Sequence, residues 1–168
     1  MKLEVARPLG LSVLAVAVFL ILVPFLNVGL GVLPIRPAVR EWRFGTWGLL
    51  LGALTLPTLG VALLALGGVL RDSRGTLRVA VALSATLGLM AAIGLVDFWA
   101  IGSSFRKAAT DPKMEVLYSR ELRRTAMIVM LAIPALLGVA VAGTALVKGL
   151  KPAKVGAQDT LMRVSNPG

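Results

Sequence analysis

The chain has 168 residues, of which 57% are hydrophobic and only 15% charged, with a mean hydropathy of +0.87 and a net charge of +10. A water-soluble domain of this size rarely has so apolar a composition, so the balance points to a membrane protein. Cysteine and histidine are both absent, which removes disulfides, thiolate metal sites, thiol chemistry and the side chain most used for haem ligation and for general-base work near neutral pH.

Charged residues fall in blocks and leave four apolar intervals. A hydrocarbon core of about 30 Å takes about 20 helical residues, which predicts spans over 9–33, 44–70, 79–105 and 125–147, together 102 of the 168 residues. Barrel strands would alternate apolar and polar residues, and stretches such as LSVLAVAVFLILVPFL do not. The expected fold is therefore all-α: a membrane-embedded bundle of four transmembrane helices in one domain over 1–150, with a C-terminal tail over 151–168. The tail holds two prolines and two glycines and reads as extended or disordered.

The first span has an apolar core longer than that of a secretory signal, and no small-residue cleavage site precedes the next loop, so it is expected to stay in the mature protein. The second opens with REWRFGTWGLL at 40–50, two arginines and two tryptophans directly before a charge-free run. Trp42, Phe44 and Trp47 here, Phe98, Trp99 and Phe105 late in the third span, and Tyr118 in the following loop gather at one end of the bundle. Indole and phenol rings favour headgroup depth, where the ring stays apolar and the N–H or O–H finds a partner. Trp and Arg are also hot-spot residues, so Trp42, Arg43, Trp47, Trp99 and Tyr118 are candidates both for lipid anchoring and for contact with a protein partner.

The third span carries Asp97, the lone acid of the four apolar stretches. An intramembrane carboxylate is a functional candidate by default, but Asp97 lies 19 residues beyond Arg78, roughly 28 Å along a helix, and so near the far headgroups. The readings are an ion pair with Arg43 that locks the second and third spans together, a proton or cation contact, or a solvated carboxylate. No second buried acid, His or Lys accompanies it to form a relay.

Small residues let membrane helices approach closely. Gly48 and Gly52 in the second span, Ser84, Gly88 and Ala92 in the third, and Gly138 and Ala142 in the fourth are spaced one turn apart, so Gly48, Gly52, Gly88 and Gly138 are expected at helix contacts, within the bundle or at a dimer seam. Pro24, Pro57 and Pro134 fall near the middles of three spans and can kink them, as static bends or as hinges. Before the fourth span, Asp111 and Pro112 form a helix start signal, and Met114, Leu117, Tyr118 and Leu122 make one apolar stripe. The last helix should thus run unbroken from 112 to 147, about 54 Å, and extend beyond the bilayer, as an amphipathic shoulder in the headgroups or as a partner-binding helix.

The positive charge fits topology and anionic headgroups rather than nucleic acid. It does not orient the bundle: nine Lys and Arg lie on each side, in the N-terminus, loop 71–78 and the C-terminal stretch from Lys148 on one and in loops 34–43 and 106–124 on the other. The short basic turn RDSRGTLR favours cytoplasmic termini.

WRFG at the start of the second span, LTLPTLG at its middle and GLVDFW late in the third resemble an uncharacterised group of small bacterial four-span inner-membrane proteins. The resemblance implies a multi-pass protein of the bacterial cytoplasmic membrane and brings no activity and no catalytic residue. With no paired carboxylates in a span and no phosphate-binding glycine loop, an enzyme is not expected. The leading expectation is a non-catalytic accessory, structural or assembly subunit of a larger bacterial membrane complex, with other membrane subunits and anionic lipids as partners. The alternative is a small oligomeric transporter or channel, whose polar lining would come from Asn27, Thr55, Thr58, Ser84 and Thr86. No cofactor or metal is predicted; an apolar pigment, quinone or lipid contact leaves no ligand signature and stays open.

Overall fold

The computed structural model describes residues 2–149, with side chains from Pro8 onward; the predicted tail over 151–168 lies outside the described residues. It is all-α, with α1 at Lys2–Gly31, α2 at Arg40–Gly52, α3 at Thr55–Leu70, α4 at Arg74–Ala108 and α5 at Pro112–Gly149, and no strand among the described residues. Three segments are long and apolar enough to cross a membrane: Pro8–Gly31, Arg74–Ala108 and Pro112–Gly149. The pair α2 and α3 passes the same test only when taken together across a bend of 40°.

That bend has a local cause. Pro57 has no N–H to give to the carbonyl of Ala53, and its ring would press on that carbonyl in a continuous helix. The ladder accordingly stops there: Ala53 still bonds Leu49, Leu54 tightens to Leu51 at 3.3 Å, and regular bonding resumes with Thr58 donating to Leu54. The Thr58 hydroxyl donates to the same carbonyl at 2.9 Å. Pro24 and Pro134 behave differently and sit inside the unbroken helices α1 and α5.

The other helix ends are set by side chains and turn chemistry. α3 closes in a Schellman arrangement: Ser73 N–H bonds the carbonyl of Gly68 at 2.9 Å and Asp72 N–H that of Val69 at 3.1 Å, with Asp72 in the left-handed conformation at φ 53°. Ser73 then caps α4 by accepting from the N–H of Thr76. α5 begins at Pro112, and the Asp111 carboxylate accepts from the N–H of Lys113 at 2.9 Å, as the sequence signal predicts.

α4 and α5 form an antiparallel hairpin with the most extensive contact in the molecule. Each helix carries a heptad stripe of buried residues: on α4 Leu77, Ala80, Ser84, Leu87, Ala91, Gly94, Phe98 and Ile101, and on α5 Leu122, Thr125, Val129, Ala132 and Leu136, alternating three and four apart. This is the period of knobs-into-holes packing between helices crossing at a shallow angle. The α4 stripe also serves α2 and α3, since Gly94 meets Trp47 and Leu77 meets Gly68. α1 lies against α3, where Gly60 meets the Ala17 carbonyl and Ile21, and Gly67 meets Leu14.

Close approach is carried by glycines other than most of those expected. Of the four singled out from spacing, Gly48 faces the Phe98 ring, from which a Cβ would stand 3.3 Å, whereas a Cβ at Gly52, Gly88 or Gly138 meets nothing within 4 Å. The crowded positions are Gly10, Gly60, Gly67, Gly68, Gly94, Gly102 and Gly143. At 35 and 38 residues, α4 and α5 measure about 52 and 57 Å, well beyond a hydrocarbon core of about 30 Å. The start of the last helix neither breaks away nor turns aside: it stays paired with the end of α4, with Leu122 buried against Gly102.

Candidate functional site

The chemistry-bearing residues converge where α2 crosses the end of α4 and the start of α5. α2 turns one face inward, with Phe44, Trp47, Gly48 and Leu51 spaced for a single helical side. α4 receives it on Gly94, Phe98 and Gly102, one turn apart each. A Cβ at Gly94 would lie 2.5 Å from the Trp47 ring, and one at Gly102 2.7 Å from both Phe44 and Leu122. These two glycines are the reason large aromatic rings can lie directly on the α4 backbone.

Asp97 sits between them in sequence and at the centre of the site. The Arg43 guanidinium donates to one carboxylate oxygen, Oδ1, in an ion pair. The Trp47 indole N–H donates to the other, Oδ2, at 2.8 Å. A charged side chain next to a lipid-facing interface is costly unless it is paired, and here each oxygen has its own donor, one of them cationic. The side chains of Asp97 and Arg43 are 25% and 43% exposed, so the pair is reachable from outside the bundle and is partly screened. The arrangement clamps α2 to α4.

Below the clamp an aromatic cluster fills the junction. Phe44 stacks on Phe98 at 4.5 Å with planes 6° apart, and meets Phe105 and Tyr118 edge-on at 5.7 and 5.8 Å. Such pairs contribute about 0.5–1.5 kcal/mol each beyond the area they cover. Phe98 is buried, together with Leu51, Leu54, Ala91, Leu122, Val129 and Ala132.

The five residues expected to contact a partner or headgroups are thus placed differently from one another. Trp47 and Arg43 spend their polar atoms on Asp97. Trp42 donates its indole N–H to the carbonyl of Val32 at 2.8 Å, one of the carbonyls left open past the end of α1. Tyr118 is half-buried in the ring cluster. Trp99 alone of the five is largely exposed, at 51%, on the outer side of α4. Gly94, Gly102 and the Phe44–Phe98 stack were not anticipated, although the four-residue spacing of Gly94, Phe98 and Gly102 is present in the sequence.

Among the described residues no group of three Asp or Glu side chains is positioned to hold a metal ion. Two buried side-chain atoms lack partners, Ser84 Oγ and Arg74 Nε, and neither adjoins Asp97 in sequence. Comparison with protein-family models, curated proteins and solved structures returns no match.

Proposed function

We propose that the chain is a four-span integral membrane protein that serves as a non-catalytic accessory or assembly subunit of a larger membrane complex. The bent pair α2–α3 supplies the second span in this reading, and the motifs WRFG, LTLPTLG and GLVDFW are the support for a bacterial cytoplasmic membrane. The observation that carries the subunit role is that the one carboxylate of the apolar region and several of its hydroxyls are committed to structure. Asp97 is held by Arg43 and Trp47. The hydroxyls of Thr58, Thr86 and Thr144 donate to carbonyls of their own helices; Ser84, sealed at 1% exposure, is the exception among these, its Oγ having no partner.

A transporter is less well supported, because Asn27, Thr55 and Thr86 are exposed on the outside of the chain and Ser84 is sealed. What remains for interaction is a rigid aromatic end and long apolar helix faces. Extraction of the tagged chain from its native membrane in mild detergent, followed by native mass spectrometry, tests the subunit role. Defined stoichiometric membrane subunits should travel with it; a bare 17.6 kDa chain under conditions that keep other membrane complexes whole overturns the reading.

A further inference from the structure

We propose that the groove between the end of α4 and the start of α5 seats one anionic phospholipid of the bilayer. Its phosphate would lie between Arg106 and Arg123 beside Ser119, and an acyl chain would run along Trp99, Met127 and Met130. The groove has a volume of about 350 Å³ and is lined by these six residues together with Leu122 and Ala126.

The order of chemistry along the groove matches the order of a phospholipid with depth. The antiparallel pairing of Gly102 with Leu122 fixes the register. Arg106 then lies one turn toward the loop, and Arg123 is next to Leu122. Trp99 lies about one turn the other way, and Met127 and Met130 follow Arg123 by one and two turns toward the apolar run. Guanidinia thus sit at phosphate level, the indole at glycerol level and the thioethers at acyl level. Indole rings favour that intermediate depth, and guanidinium forks bind phosphate oxygens in pairs.

Both arginines are free for this role. Each is exposed, and the ion pair present among the described residues is Arg43–Asp97, which uses neither. The Ser119 hydroxyl is half-buried and makes no side-chain hydrogen bond among the described residues. A soluble anion would account for the arginines but not for Met127 and Met130 directly beneath them, 58% and 71% exposed. An amphiphile accounts for both.

The inference rests on the membrane-spanning reading and is independent of the subunit role. It is tested with the full chain in phosphatidylcholine vesicles that contain a minor fraction of lipid brominated on its acyl chains. That lipid is phosphatidylglycerol in one set and phosphatidylcholine in the other. The Trp99 signal is taken as the difference between the chain and its Trp99→Phe variant. Brominated phosphatidylglycerol should quench Trp99 more than brominated phosphatidylcholine. Arg106→Gln and Arg123→Gln should each reduce that preference about fivefold, the effect of one basic residue near an anionic surface. Arg78→Gln, exposed at the opposite end of α4, should leave it unchanged, and circular dichroism should show all variants equally helical.

Equal quenching by the two lipids overturns the proposal, as does a preference that survives the double arginine variant. Loss of the preference on adding inorganic phosphate assigns the site to a soluble anion and also overturns it. No quenching by either lipid removes Trp99 from the bilayer and overturns the spanning reading as well, so the two failures are distinguishable.

Discussion

Gly94 gives Trp47 its place: a Cβ on residue 94 would stand 2.5 Å from the six-membered part of the indole, whose N–H reaches Asp97 three residues further along α4. Gly94→Ala should therefore push the ring off α4 and break the indole–carboxylate bond. The expected loss is about 1–3 kcal/mol, the usual cost of overpacking a tight contact, read as a lower unfolding midpoint in detergent with a red-shifted tryptophan emission. Gly88→Ala, where nothing lies within 4 Å, is the matched comparison. It should be neutral or slightly stabilising, because alanine narrows the freedom of the unfolded chain. Equal effects at the two positions would refute this account of Gly94.

The ion pair and the indole bond share one carboxylate, so Arg43 and Trp47 should be energetically coupled to Asp97 but not interchangeable. Arg43→Met should leave a carboxylate with one neutral donor, and Asp97→Asn should leave Trp47 an acceptor while removing the charge. The Arg43–Asp97 coupling in a double-mutant cycle should come to about 0.5–1.5 kcal/mol, in the range of partly exposed pairs and of polar contacts between membrane helices. Arg43→Met alone should cost more than the double variant Arg43→Met/Asp97→Asn. If the double variant is the less stable, the carboxylate does not depend on its cation.

Helix class, the three long apolar helices α1, α4 and α5, the start of α5 at Asp111–Pro112 and the candidate partner Arg43 for Asp97 were all readable from the residues. These features depend on contrasts that survive in one dimension: charged against apolar, a proline at a first helical position, a lone acid among arginines. The packing glycines were not readable from a one-turn repeat. Inside a membrane the outer face of a helix is as apolar as its inner face, so hydropathy does not reveal which side is buried. Spacing alone selected Gly88, which faces open space, in place of Gly94, six residues further on and about one residue short of two turns. What distinguishes the buried side is a three-and-four alternation from Leu77 to Ile101 that mixes small and large residues, a period that emerges once the partners α2, α3 and α5 are in view. Likewise three central prolines look alike in sequence, and the structure breaks the helix at one of them.

That break makes Pro57 testable as its cause. Pro57→Ala restores an N–H able to bond the Ala53 carbonyl and removes the ring that opposes it. The 40° bend between α2 and α3 should diminish. Since the natural chain contains no cysteine, spin labels can be placed on Leu49→Cys and Leu66→Cys, both exposed, and the distance between them should lengthen. Pro134→Ala, at an exposed position inside unbroken α5, should leave helix shape unchanged in the same kind of measurement. An unaltered distance in Pro57→Ala would place the origin of the bend in tertiary packing against α4.

The sharing of one end of the bundle by the α1–α2 and α4–α5 connections leads to the last expectation. Arg43, Phe44 and Trp47 touch the end of α4, and Phe44 also touches Tyr118 near the start of α5, whereas Gly68 meets Leu77 at the other end. If the bent pair crosses the membrane once, Ala38 and Ala109 lie on one side of it and Gly75 on the other. Single cysteines at these three positions, treated with a membrane-impermeant maleimide in sealed vesicles of defined orientation, should label Ala38→Cys and Ala109→Cys together and Gly75→Cys only after permeabilisation, or the reverse. The equal division of basic residues between the two sides leaves which of these two patterns appears to the experiment, and either one agrees with four crossings. Labelling of Ala38→Cys and Gly75→Cys from one side, with Ala109→Cys from the other, would mean that α2 and α3 enter and leave by one face as a re-entrant pair, with three crossings among α1, α4 and α5.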